Sequence, residues 1–114
     1  RFRLARNRTW LGFNLSLPMG HGASEGHVLV QLEVALAAVK DFGAEVLVLS
    51  LGFDIFELDP QSKVAVTREG FARLGERIRS LGVPCLIVQE GGYHLESLED
   101  NARAFFVSPE VWQL

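Results

Sequence analysis

The sequence predicts an α/β fold in three layers, α/β/α, built on a parallel sheet. Two observations carry that prediction. The runs Val46-Leu47-Val48-Leu49-Ser50-Leu51 and Pro84-Cys85-Leu86-Ile87-Val88 are almost continuously apolar, as strands covered on both faces are. Around and between them lie segments whose apolar residues recur at helical spacing. Apolar strands joined by helical crossovers imply parallel pairing, right-handed connections and helices on both faces of the sheet.

Each element has its own signals. Residues 1–9 carry Arg1, Arg3, Arg6 and Arg8 without periodic pattern. They read as a basic, mobile arm or an altered end, ahead of a single α/β unit over 10–114. In Trp10-Leu11-Gly12-Phe13-Asn14-Leu15-Ser16-Leu17, the residues Phe13, Leu15 and Leu17 alternate with Asn14 and Ser16, which is strand spacing. Pro18-Met19-Gly20-His21-Gly22 is a loop, broken by proline and glycine. Ser24 suits a helix N-cap, since its hydroxyl can accept from a free first-turn N–H. Val28, Leu29, Leu32, Leu36 and Val39 then follow a helical face, and Gly43 stops it. A strand over 46–51 leads into a long polar loop from Gly52 to about Val66. Thr67 caps the next helix, with Phe71, Leu74, Ile78 and Leu81 on one side and Gly82 at its end. A strand over 85–88 meets Gly91-Gly92. A last helix, from about Leu95 to Phe105, turns Leu98 and Phe106 inward and stops before Ser108-Pro109.

Composition narrows the function classes. The chain has 114 residues, of which 48% are hydrophobic, enough for the core of one domain or of a piece of one. A net charge of −3 argues against nucleic acid as the main partner. No run is apolar for long enough to span a membrane, and the arginines at the start precede no signal-peptide core. The single cysteine, Cys85, cannot form an internal disulfide. Inside an apolar strand it reads as a buried, inert thiol, which suits a reducing, cytoplasmic compartment. The chain opens on arginine, has Met19 as its only methionine, and places nothing before its first strand to cover it. Those features give the expectation of a piece of a longer protein, with truncated surfaces prone to self-association.

Chemistry is expected at the carboxyl ends of the parallel strands. Ser50-Leu51-Gly52-Phe53-Asp54-Ile55-Phe56-Glu57-Leu58-Asp59-Pro60 leaves the middle strand, and Val88-Gln89-Glu90-Gly91-Gly92-Tyr93-His94 leaves the last. Both loops open on one sheet edge, which gathers Asp54, Glu57, Asp59, Glu90, Tyr93 and His94. Asp54 reads as a metal ligand, a cap or the partner of a charge. Tyr93 follows two glycines that allow a tight, open turn. Its hydroxyl either donates to a developing oxyanion or packs against the sheet end. Asp59-Pro60 starts a turn. Glu57 reads as solvated, His27 as a helix residue, and His94 as pointing away from Tyr93. His21, in a glycine-flanked loop, can line a substrate entrance. No phosphate-binding glycine loop is present.

These runs also resemble a known family. Ser50-Leu51-Gly52-Phe53-Asp54, continuing to Asp59-Pro60, is similar to the segment holding the last zinc-binding aspartate of the histone deacetylase and acetylpolyamine amidohydrolase family. Gln89-Glu90-Gly91-Gly92-Tyr93 resembles its glycine-tyrosine loop. Thr67-Arg68-Glu69-Gly70-Phe71 is similar to the opening of the intervening helix, and Asn14-Leu15-Ser16-Leu17-Pro18 to the preceding strand and entrance loop. The likeness runs from about Gly12 to Phe106.

The resemblance implies an arginase/deacetylase-like fold, of which this chain is the C-terminal part. It implies a zinc-dependent hydrolase that removes acetyl groups from a small cationic amine or from acetyl-lysine. Asp54 would be a Zn2+ ligand. Tyr93 would polarise the acyl carbonyl and stabilise the oxyanion, and Gly91 and Gly92 would shape its loop. Phe56-Glu57 ahead of Asp59-Pro60 leans toward the bacterial acetylpolyamine type, although Gln61 stands where some polyamine-directed relatives carry glutamate. The family's paired catalytic histidines and its aspartate-x-histidine zinc ligands lie upstream of anything matched here. One aspartate is short of the usual three ligands, so the segment alone is expected to be inactive and nearly metal-free. Two other readings fit the residues: a non-catalytic α/β module binding a ligand or protein at the same edge, and a degenerate relative that binds without turnover.

Overall fold

The computed structural model describes residues 3–4 and 14–107. In chain order these form β1 (Arg3–Leu4), β2 (Leu15–Ser16), β3 (Ala23–Ser24), α1 (Glu25–Phe42), β4 (Leu47–Leu51), β5 (Val64–Ala65), α2 (Arg68–Ser80), β6 (Cys85–Gln89) and α3 (Leu95–Phe106). Within the expected basic arm, Arg3–Leu4 is a strand rather than patternless chain, paired antiparallel with Leu15–Ser16. The expected strand start over 10–13 lies outside the described residues, as does Ser108-Pro109.

The helix limits follow from their caps. The Ser24 hydroxyl accepts from the His27 N–H at 3.3 Å, and Gly43 closes α1 at φ 74°, a left-handed angle that costs glycine little. Thr67 accepts from the Gly70 N–H at 3.0 Å to open α2. Glu25 ties the two starts together: its Oε2 accepts from the Thr67 N–H at 2.8 Å and the Thr67 hydroxyl at 2.6 Å, and it pairs with Arg73. No sequence pattern announces that junction, since its partners lie more than 40 residues apart.

β4 and β6 pair in parallel, with Leu47 opposite Cys85 and Leu51 opposite Gln89. The α2 crossover between them is the arrangement anticipated from the apolar runs. One face of this pair is covered. Leu49, Leu51 and Ile87 join a core of Val28, Phe53, Phe56, Val66, Phe71, Leu74 and Phe105. The other face is open: Val46, Val48, Leu86 and Val88 are all exposed. The expectation of cover on both faces is therefore met on one face among the described residues. Cys85, expected buried, is also exposed, although it alternates onto the same face as Ile87: it opens β6, opposite Leu47 and ahead of the core positions Leu49 and Ile87.

Four phenylalanines fill the core. The Phe53 ring lies 5.2 Å from Phe71 and 6.4 Å from Phe105, and Phe56 lies 6.4 Å from Phe71. These tilted and edge-on geometries favour aromatic pairs. In α3 the buried positions are Asn101 and Phe105, whereas Phe106 is half exposed. Counting helical steps from Leu98 brings 101, 102 and 105 under the helix and leaves 106 on its flank, so the expected inward Phe106 is replaced by its neighbour. No helix of the described residues is long and apolar enough to cross a membrane.

α2 and α3 touch at Gly75. A Cβ there would lie 2.1 Å from the Phe105 carbonyl oxygen, which also accepts from Arg79 Nη1 at 2.6 Å. Because the obstacle is backbone, Gly75→Ala must push the helices apart. We expect it to lower unfolding stability by about 1–3 kcal/mol, the usual cost of overpacking. Gly26→Ala, which would meet only Ser24 Oγ at 3.8 Å, is expected to be neutral or stabilising. Denaturant midpoints of the two variants provide the check; equal midpoints would contradict the close helix contact.

Candidate functional site

The parallel register of β4 and β6 delivers two loops to one place. Past the strands the pairing continues: Glu90 N–H donates to the Leu51 carbonyl at 2.8 Å, and Phe53 N–H to the Gly91 carbonyl at 2.8 Å. The residue after Phe53 is thereby held against the glycine pair. A Cβ on Gly91 would lie 2.7 Å from Cγ and Oδ2 of Asp54, and one on Gly52 would lie 2.3 Å from Asp54 Oδ1. The Asp54 carboxylate sits in a cradle of two glycine backbones, a space any side chain would fill. Gly92, at φ 144°, is a position that favours glycine, and a Cβ there would crowd Phe53 and Leu98 at 3.0 Å.

The two aspartates of the first loop differ in one respect. Asp54 is half-buried, and among the described residues no hydrogen-bond donor reaches its carboxylate. Asp59 is buried and fully engaged. Its Oδ1 accepts from the Gln61 N–H at 2.8 Å, and its Oδ2 accepts from the Tyr93 N–H at 2.7 Å and the His94 N–H at 3.1 Å. Burial raises the Asp59 pKa, but the hydrogen bonds from Tyr93, Gln61 and His94, helped by the nearby His94 ring, outweigh it and hold the carboxyl below its usual value. It stays ionised at neutral pH. The sequence reading of Asp59 as a turn former holds for Gln61 and for Ser62, whose N–H donates to the Asp59 carbonyl at 3.0 Å. The grip on Tyr93 and His94 was not legible, because it crosses 34 residues.

Tyr93 projects from this grip, the residue 56% exposed. His94 turns the other way, as its neighbour position suggested: its ring stands edge-on to Phe56 at 5.6 Å, and its Nδ1 is enclosed without a partner among the described residues. Glu57 and Glu90 are exposed. His21 is exposed in the turn before β3, where the Gly22 N–H donates to the Lys63 carbonyl at 2.8 Å. It thus stands beside the 59–63 turn. The loop from Gly52 to Val66 is more ordered than its polar composition suggests. β5 pairs in parallel with β3, and Phe56 bridges Val66. Among the described residues no group of three or more His, Cys, Asp or Glu side chains could hold a metal.

Chemically, the site offers one free carboxylate in a backbone cradle, one exposed phenol on a clamped loop, and an acidic rim. Comparison with known proteins identifies the family. The chain is 56% identical over 96 residues to the acetylpolyamine amidohydrolase of Burkholderia pseudomallei (strain 1710b), a match covering 84% of this chain and 28% of that protein. It is 35% identical over 91 residues to acetylpolyamine amidohydrolase 1 of Pseudomonas aeruginosa, covering 80% and 26%. The crystal structure of the Burkholderia pseudomallei acetylpolyamine aminohydrolase superposes with a TM-score of 0.82 over 84% of this chain and 28% of that one. The chain therefore spans 28% or less of the length of these relatives. The family described as the histone deacetylase domain matches residues 5–108, and with that match the chain belongs to the histone deacetylase family.

Proposed function

We propose that this segment supplies the C-terminal part of a zinc-dependent amidohydrolase that releases acetate from an N-acetylated amine. The observation that carries the reading is the contrast between the two aspartates. A half-buried carboxylate with no hydrogen-bond donor among the described residues, set in a cradle shaped by Gly52 and Gly91, keeps its lone pairs for a cation. Its companion, Asp59, has every oxygen taken by backbone.

Asp54 fits as one ligand of a zinc ion, and the remaining ligands belong to residues upstream of this segment. Zinc supplies Lewis acidity toward the acyl oxygen and the attacking water. The residues of this chain do the rest of what is proposed for it. Tyr93, on its clamped backbone, donates its phenolic hydrogen to the oxyanion that develops as the acyl carbon becomes tetrahedral. Gly91 and Gly92 keep side chains out of that space. Glu57 and Glu90 favour a cationic amine by charge attraction, and His21 lines the approach. Proteins named as acetylpolyamine amidohydrolases among the relatives support a small acetylated amine as the substrate class.

The test is acetate release by the full-length protein from a mono-acetylated diamine and from an acetyl-lysine peptide. We expect hydrolysis of the diamine, loss of it on dialysis against a strong chelator, and recovery with stoichiometric Zn2+. Turnover that survives metal removal, or none with either amide, would rule the proposal out.

A further inference from the structure

We infer that Asp59 is a positioning residue for Tyr93, acting through the backbone of the glycine-tyrosine loop. The inference rests on the proposed role of Tyr93 and deepens it. Among the described residues the Tyr93 side chain makes no hydrogen bond, and more than half of it is exposed. It follows two glycines, one at positive φ, which gives the loop more conformational freedom than any other residue pair would. Among the described residues no hydrogen bond at the phenol end sets its direction. The fixed points are at the backbone, where Asp59 Oδ2 accepts from two successive N–H groups, those of Tyr93 and His94, at 2.7 Å and 3.1 Å.

Asp59 is itself held firmly. Its N–H donates to the Phe56 carbonyl at 2.9 Å, its carbonyl accepts from Ser62, and its Oδ1 accepts from Gln61. Phe56 is buried and faces the His94 ring. A charged acceptor shared between two amides is a strong, directional restraint. Its placement joins the loop bearing Asp54 to the loop bearing Tyr93 as one body. The Phe53 N–H bond to the Gly91 carbonyl holds the start of the glycine-tyrosine loop, and Asp59, its oxygens engaged by backbone, fixes Tyr93 itself, the proposed oxyanion donor, relative to the loop bearing Asp54. A misplacement of about 1 Å at such a donor can cost roughly a hundredfold in rate.

A double-variant cycle in the full-length protein tests this. Asp59→Asn keeps the size and one acceptor oxygen but presents an NH2 group to the backbone donors. We expect kcat to fall roughly tenfold to a hundredfold, with KM for the acetylated amine and zinc content little changed. In a Tyr93→Phe background, which lacks the hydroxyl to be aimed, Asp59→Asn should cost less than about threefold more, the non-additivity expected of residues that act as a unit. If Asp59→Asn costs the same factor with and without the hydroxyl, Asp59 is merely structural and the inference is overturned. If instead Tyr93→Phe alone leaves kcat intact, the function proposed for Tyr93 fails first, a separable result. Should Asp59→Asn not fold, Asp59→Glu, which retains the charge but shifts it by a methylene, takes its place in the cycle. Amide exchange in the unaltered protein gives a reading independent of turnover: the Tyr93 and His94 amides should exchange more slowly than the neighbouring Gly91 and Gly92 amides, and equal rates would also overturn the inference.

Discussion

Tyr93→Phe in the full-length protein is expected to lower kcat for an acetylated amine by roughly 10²- to 10³-fold, the usual cost of deleting one oxyanion donor. The substitution removes one oxygen and leaves the ring. Because the side chain is largely exposed and its backbone is held by Asp59, the fold should not move. KM should change little, since the hydrogen bond is made most strongly to charge that exists only in the transition state. Stability should also stay within about 0.5 kcal/mol, as for other surface changes. The measurement is kcat and KM by acetate release, with a thermal melt alongside. An unchanged kcat would make Tyr93 a packed or solvated residue and remove the oxyanion role.

Asp54→Ala is expected to have the larger effect. It should empty the proposed zinc site and lower activity by more than the roughly 10- to 100-fold typical of residues that only support a ligand. Two readouts separate chemistry from folding. Zinc content by elemental analysis should fall well below one per chain, and the melting temperature without metal should hardly change, because the Asp54 carboxylate takes no hydrogen bond from the described residues. Asp54→Asn, which keeps the shape against Gly52 and Gly91 but loses the charge, should retain more zinc than Asp54→Ala. Full zinc occupancy and full turnover in both variants would reduce Asp54 to a turn residue.

Much of this was legible along the chain because the signals are local. The caps Ser24, Gly43 and Thr67 satisfy helix ends with groups a few residues away, and the apolar runs around Leu49 and Ile87 announce strands by themselves. Local signals failed where a partner had to be supplied from afar. Val48 and Leu86 look buried by composition but are exposed, since whether a sheet face is covered depends on what packs over it; Cys85 is exposed too, at the start of its strand. Phe53 and Phe56 sit in a stretch that reads as polar loop, yet they fill the core. The choice between Phe105 and Phe106 turned on which face of α3 meets α2, where the Phe105 backbone lies against Gly75.

The sequence by itself determined the three helices and the two apolar strands that pair in parallel, and brought Asp54 and Tyr93 to loops at the same ends of those strands, because periodicity, caps and glycines act within a few residues. Only the tertiary structure decided which aspartate is free and which is a clamp. That distinction depends on where the Tyr93 and His94 amides lie after the chain has crossed through α2 and back, and hydrogen bonds closed across such a distance leave no mark on neighbouring residues.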